Sequence, residues 1–269
     1  MPVFLWQKSA SRDWFEQNQA ELEHSNLAVI EYPTRKRLRL EITTADRRLV
    51  HRLTNAFGGQ IRKLSPSYVS DFLRRKSGKP IRIGNRLTIA TSGSPKSDRL
   101  IIPAGAAFGT GEHATTAMSL RLFERKSRGL TSGWRMLDAG TGSGILALAA
   151  ARFGAEIISA IDNDPLAIST AKENARRNRI ENVEFVCGDV TKAIRGRFDV
   201  IAANLFSDLL ITMLPRFRIA LASEGFLILS GVMRNQEAGL LRVLKINSFA
   251  ISETRHRGKW IALLAQKRS

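Results

Sequence analysis

Met136-Leu137-Asp138-Ala139-Gly140-Thr141-Gly142-Ser143-Gly144 is followed, after a second apolar stretch, by Ile161-Asp162-Asn163-Asp164-Pro165. The first segment reads as a buried strand that runs into a glycine turn and opens a helix. The second reads as a strand that ends in acid. Glycines at 140, 142 and 144 let backbone N–H groups approach a ligand closely. A carboxylate at the end of the next strand can accept from both hydroxyls of a ribose. The pair therefore points to a nucleoside cofactor. Asp162 follows Gly140 by 22 residues, a spacing that dinucleotide sites also use. The glycine pattern, however, is G-x-G-x-G rather than G-x-G-x-x-G, and Asp138 stands just before the turn. A carboxylate there repels a pyrophosphate and suits a cation, such as the sulfonium or amino-acid end of S-adenosylmethionine.

Working outward, the chain alternates apolar strand stretches (135–138, 157–161, 183–186, 200–203, 225–229) with helical ones (145–153, 165–178, 209–221, 236–244). Strands joined by helical crossovers build a mostly parallel sheet. Two further strands, 250–254 and 260–265, are separated only by His256-Arg257-Gly258-Lys259 and must be antiparallel. This predicts an α/β Rossmann-like sheet of the class I methyltransferase type with an antiparallel C-terminal hairpin. Ligands of such sheets bind at the carboxyl ends of the strands.

The first 64 residues read differently. Strand, helix, two strands, helix and strand follow in the order βαββαβ, that of a small ferredoxin-like α+β unit. Ser11 is the expected cap of its first helix and Thr44 of its second, which Gly58-Gly59 ends. A connecting helix is expected near 68–76, then strands at 81–90 and 100–102. The expected organisation is an N-terminal domain (1–66), a linker helix (67–78) and a methyltransferase domain (79–269).

Composition sets limits. The 269 residues carry 42 Lys+Arg against 24 Asp+Glu, a formal charge of +18 that implies an anionic partner or a solvated basic surface. Cys187 is the single cysteine, which excludes an intramolecular disulfide and a cysteine zinc site. The four histidines, 24, 51, 113 and 256, lack metal-ligand spacing. No metal is expected. The apolar start is too short for a signal peptide and no run is long enough to span a bilayer. A cytoplasmic protein, with no membrane contact, is expected.

A more specific signal precedes the glycine turn: Pro103-Ala104-Gly105-Ala106-Ala107-Phe108-Gly109-Thr110-Gly111-Glu112-His113-Ala114-Thr115-Thr116. With 138–144, 162–167 and Ala203-Asn204-Leu205, it resembles the methyltransferases of large-subunit ribosomal protein eleven (PrmA). Lys79 to Gly84, Leu229-Ser230-Gly231-Val232 and Gly258-Lys259-Trp260 match as well. The resemblance implies transfer of methyl groups from S-adenosylmethionine to lysine and N-terminal amines of that ribosomal protein, with residues 1–66 as a substrate-recognition domain. It implies cofactor contacts at Thr116, Gly140, Asp162 and Asn204. Where the family often has Ile-Leu-Ala after the strand-end Asn, this chain has Leu205-Phe206-Ser207. An alternative keeps the fold and changes the acceptor to ribosomal RNA or another protein, and the charge leaves room for weak contact with ribosomal RNA.

The remaining candidates are assigned by position. Asp162 is the expected ribose clamp, with Asp164 the better cap for the helix after it. Gly142 and Asp138 belong to the cofactor turn. Asp189 follows the strand at 183–186, where adenine is often met, or is a turn aspartate. Asn204 is placed to accept a hydrogen bond from the incoming amine and aim its lone pair. Phe108, within the glycine-bearing loop 105–113, is expected to cover the cofactor as a lid. His113 is a candidate base. Thr115 and Thr116 are expected to open a helix near Ala117, where capping competes with ligand binding.

Overall fold

The computed structural model describes residues 3–22, 27–30, 37–44, 46–64, 79–103, 111, 113–131 and 133–268. The chain divides into two compact units, Met1–Lys76 and Ser77–Ser269. The expected linker helix, and Phe108 with most of its loop, lie outside the described residues.

In the first unit, β1 (Val3–Ala10), α1 (Arg12–Leu22), β2 (Leu27–Ile30), β3 (Leu38–Thr44), α2 (Arg47–Phe57) and β4 (Gln60–Leu64) follow in order. The sheet order is β2-β3-β1-β4, and every pairing is antiparallel. Leu38, Leu40 and Ile42 alternate inward from β3 against Trp6, Leu22, Val50 and Leu53, while Arg39 faces solvent. Ser11 caps α1 by accepting from the Trp14 N–H. The cap of α2 is Asp46, which accepts from the Arg48 N–H, rather than Thr44. The Thr44 hydroxyl instead accepts from the Asp46 N–H and sets up the turn before the helix. Gly58 ends α2 with φ +69°.

The second unit opens with β5 (Ile81–Ile83), β6 (Leu87–Ala90) and β7 (Arg99–Ile101). The expected single strand over 81–90 is broken, because Gly84 turns at φ +55° and the chain folds back as a hairpin. A Cβ at Gly84 would collide with the Glu124 carboxylate. The chain continues through α3 (Ala114–Ser127), β8 (Arg135–Ala139), α4 (Ile145–Phe153), β9 (Ile157–Asp162), α5 (Pro165–Asn178) and β10 (Val183–Cys187). It ends with α6 (Val190–Ala193), β11 (Phe198–Asn204), α7 (Ser207–Ala220), β12 (Leu221–Met233), α8 (Glu237–Ile246), β13 (Phe249–Arg257) and β14 (Trp260–Lys267).

The large sheet has the order β10-β9-β8-β11-β12-β14-β13. Its first five strands are parallel, and β14 is antiparallel to both of its neighbours. This is the expected Rossmann-like sheet with its C-terminal hairpin. The strands read as continuous apolar runs because both faces are covered. Val200, Ala202, Phe226 and Ile228 enter one core, while Ile201, Ala203, Leu227 and Leu229 enter the other. Burial of each such Leu or Phe contributes about 1.5–3 kcal/mol, so the sheet is a stiff platform for the loops at its edge. The chain proceeds one way from β8 to β9 and β10, and the other way to β11 and β12. That switch point leaves a crevice at the carboxyl edge between β8 and β11.

Candidate functional site

Several strand-end loops gather at this crevice. Ala139 is paired with Ile161 on one side and Ala203 on the other. The next residues in each strand, Gly140, Asp162 and Asn204, therefore emerge together at the sheet edge. The Gly140 and Thr141 N–H groups donate to the Ile161 carbonyl at 2.9 and 3.0 Å, which folds the turn back over β9. Gly140, Gly142 and Gly144 have φ of +76°, +54° and +82°. Side chains resist these values, so the turn needs its glycines. Gly144 also packs on Ala171 of α5, where an added Cβ would lie 3.0 Å from the Ala171 Cβ.

Asp162 is fixed by two backbone donors. Its Oδ2 accepts from the Gly142 N–H at 2.8 Å, and its Oδ1 from the Asp164 N–H at 3.0 Å. Each oxygen keeps an acceptor site, so the carboxylate can still receive a diol. Asp164 caps α5, accepting from the Leu166 N–H at 2.8 Å, with Pro165 in the first turn.

Asp138 lies behind the turn. It is buried, its Oδ2 accepts from the Thr141 hydroxyl at 2.7 Å and the Ala147 N–H at 3.1 Å, and its Oδ1 has no hydrogen-bond partner. Burial pushes its carboxyl up to about 7, against the pull of the Thr141 and Ala147 bonds, and the Asp162 charge adds to the rise.

A pocket of about 430 Å³ occupies the crevice. Gly140, Gly142, Asp162, Asn163, Asp189 and Val190 line its β8–β10 side, and Asn204, Leu205, Phe206, Leu209 and Gly231 its β11–β12 side. Trp260, His113 and Thr115 complete the wall. Of the residues singled out from sequence, Gly140, Gly142, Asp162, Asp189, Asn204 and His113 thus meet in one pocket. Asp138 and Thr116 stand behind its surface. Cys187 pairs with Asp162 in register but is not part of the lining.

Asp189 caps the short α6, accepting from the Thr191 N–H at 2.8 Å while also facing the pocket. The Thr191 bonds hold its carboxyl below the usual range. Thr115 and Thr116 fall within the first turn of α3, which begins at Ala114 rather than near Ala117. The cap position belongs to His113, so neither threonine is a cap. The Thr116 hydroxyl accepts from the Asn204 Nδ2 at 3.5 Å, which leaves the Asn204 carbonyl oxygen as an available acceptor. The His113 Nδ1 lies 2.7 Å from the Thr115 hydroxyl, and its ring meets Trp260 edge-on with centroids 5.2 Å apart. Partial burial, and then the Lys259 charge, hold His113 below its ordinary value, which favours the neutral ring.

Several lining residues escaped the sequence reading, among them Gly231, Trp260 and Phe206. Gly231 turns at φ +88° inside an apolar strand, and a Cβ there would strike the Leu205 backbone. A glycine within a strand signals such close approach. Trp260 reaches the site because β14 runs antiparallel, which brings its first residue to the carboxyl edge. Phe206 gave no signal beyond its place after Asn204. Among the described residues no group of His, Cys, Asp and Glu could hold a metal, and no helix is long and apolar enough to cross a membrane.

The family model described as ribosomal protein L11 methyltransferase (PrmA) matches residues 7–268. The chain belongs to the PrmA family. A ribosomal protein L11 methyltransferase of Pelotomaculum thermopropionicum is 38% identical over 198 residues, 71% of this chain and 63% of that protein. One from Heliobacterium modesticaldum is 36% identical over 195 residues, 70% of this chain and 61% of that protein. Each match thus spans about three fifths of the curated relative. A crystal structure of a ribosomal protein L11 methylase from Lactobacillus delbrueckii subsp. bulgaricus superposes with TM-score 0.63 at 29% identity, covering 71% of this chain and all of that one. The PrmA pocket described above lies within the portion of the chain that carries the large sheet.

Proposed function

We propose that this PrmA-family protein transfers methyl groups from S-adenosylmethionine to amines of ribosomal protein L11, on lysine side chains and the N-terminus. The observation that carries the reading is the single pocket in which Asp162, the glycine turn and Asn204 converge at the switch point of the sheet. The residues fit the cofactor. Asp162 keeps free acceptor sites for two ribose hydroxyls, and Asp189 faces the same end of the pocket. The turn offers close backbone approach. Asp138, with an unpartnered buried oxygen, favours a cation above it. Its role is then electrostatic, exerted through the turn rather than by contact.

When bound, S-adenosylmethionine supplies an activated sulfonium methyl group to a neutral amine. The protein contributes proximity and orientation. Asn204 accepts from the amine N–H and aims its lone pair, while Thr116 holds the Asn204 amide from behind. His113, which lines the same pocket, is the candidate acceptor of the proton that the amine gives up. A free lysine has a pKa of about 10.4, so loss of that proton precedes attack. A ribosomal-protein substrate favours the cytoplasm as the site of the reaction. The +18 charge supports weak contact with ribosomal RNA as a secondary interaction.

The test is incubation of purified enzyme, the ribosomal protein and cofactor, followed by intact-mass measurement of the ribosomal protein. Mass steps of one methyl group are expected. No gain, with cofactor binding intact, would overturn the acceptor and turn the search to RNA.

A further inference from the structure

Phe206 is the most exposed of the large hydrophobic side chains among the described residues, with 80% of its surface in solvent. Ile157, Leu166, Ile219, Ile246 and Ile251 are also exposed, but none of them lines the pocket. Scattered exposed apolar residues need no explanation by themselves. Phe206 differs in where it stands and in how its backbone is held.

It stands two residues after Asn204, on the rim of the pocket. Its backbone is fixed from both sides. The preceding Leu205 is wedged between two glycines: a Cβ at Gly140 would collide with the Leu205 side chain, and one at Gly231 with its backbone. The Leu205 N–H donates to the Ser230 carbonyl at 3.1 Å. On the other side, the Phe206 carbonyl accepts from the Leu210 N–H at 3.0 Å, and Ser207 and Leu210 are buried. The phenyl ring is thus presented to water from a rigid base.

Its residue type also goes against local preference. Phe206 is the N-cap of α7, a position that favours Ser, Thr, Asp or Asn, and it makes no side-chain cap bond. A large apolar ring in water and a poor cap coincide at one residue on the edge of the site. Departures from local rules of this kind cluster at functional positions.

We infer that Phe206 is a substrate-positioning residue, whose ring packs against the aliphatic stem of the acceptor lysine as it enters beside Asn204. The inference rests on the amine-methylation reading above. A lysine stem is an apolar rod behind a polar nitrogen. With the nitrogen directed at Asn204, the stem leads outward past Leu205 and onto the exposed ring. Burial of both apolar surfaces occurs only when the acceptor binds, so the ring contributes to acceptor affinity and not to cofactor affinity.

The experiment is steady-state kinetics with ribosomal protein L11 as the varied substrate, together with calorimetric binding of S-adenosylmethionine, for wild type, Phe206→Ala and Phe206→Leu. Retained cofactor binding shows that the variants are folded. Phe206→Ala is expected to raise KM for the protein substrate about tenfold or more, with a smaller fall in kcat, and Phe206→Leu to recover most of the loss. An unchanged KM would overturn the inference. Equal loss of cofactor affinity would also overturn it, because the ring would then cover the cofactor. If wild type fails to methylate the ribosomal protein, the functional reading itself fails and the inference falls with it.

Discussion

The Asp162 carboxylate and the Gly142 N–H are joined by a 2.8 Å hydrogen bond that ties the end of β9 to the turn after β8. Two strands thereby share one edge, and the Asp162 carboxylate cannot move independently of the glycine turn. Hydrogen bonds to a charged group are worth about 1.5–3 kcal/mol, so the link matters to the fold as well as to the ligand.

Asp162→Ala removes this bond, the bond from Asp164, and the proposed ribose acceptor together. Calorimetry is expected to show cofactor affinity at least about fiftyfold weaker, with thermal unfolding a few degrees lower. Asp162→Asn, which keeps one acceptor oxygen, falls in between. Unchanged affinity in the alanine variant would remove Asp162 as the clamp.

Asp138 gives the ligand-free protein a pH signature. Its carboxyl is raised from 3.8 in the unfolded chain to about 7 in the fold. The folded state therefore holds the proton more tightly between these values. Its stabilising contribution is present in acid, declines as pH rises from about 4 to about 7, and is absent above that. Asp138→Asn cannot ionise. The melting temperature of the variant minus that of wild type is expected to become more positive by about 4 °C or more between pH 5 and 8.5. A pH-independent difference would mean that Asp138 is ionised throughout.

Gly231→Ala tests the seat of Leu205. Its φ of +88° disfavours a side chain, and the new methyl group strikes the Leu205 backbone. Displacement of Leu205 carries Asn204 with it. Methyl transfer is expected to fall about a hundredfold, while cofactor affinity, which the proposed contacts set mainly on the β8–β9 side, is expected to change less. Equal losses in both would show that Gly231 supports the whole pocket rather than its acceptor side.

Chemistry by a neutral amine predicts a rate that climbs from neutral to alkaline pH, under conditions where transfer limits turnover. The slope approaches tenfold per pH unit below the acceptor pKa. A flat profile would contradict loss of a proton before attack.

Much of this architecture was legible in the sequence. The bounds of α4 and α5 follow directly from Gly144, Asp164 and Pro165, because caps and turns are local signals. The antiparallel hairpin follows from the short link between β13 and β14. The strand expected across 81–90 failed because one glycine with positive φ reverses the chain, which an apolar pattern does not reveal. Thr44 and Thr115-Thr116 were misplaced relative to their helices by one to three residues, because several polar side chains compete for each cap. Asp162, Asn204 and the glycine turn were readable because each ends an apolar strand. Trp260 was not, since its approach to the pocket depends on the register of β12 with β14, nor was Gly231, which meets Leu205 where β11 and β12 end side by side. Asp138 was legible as part of the turn, but not the inward direction of its side chain to Thr141 and Ala147.

The most direct test of the account is mass spectrometry of ribosomal protein L11 after incubation with the enzyme and S-adenosylmethionine, wild type beside Asp162→Ala. The account predicts mass gains in steps of one methyl group on amine positions, lost in the variant. An unmodified ribosomal protein, from wild-type enzyme that binds the cofactor, would contradict it.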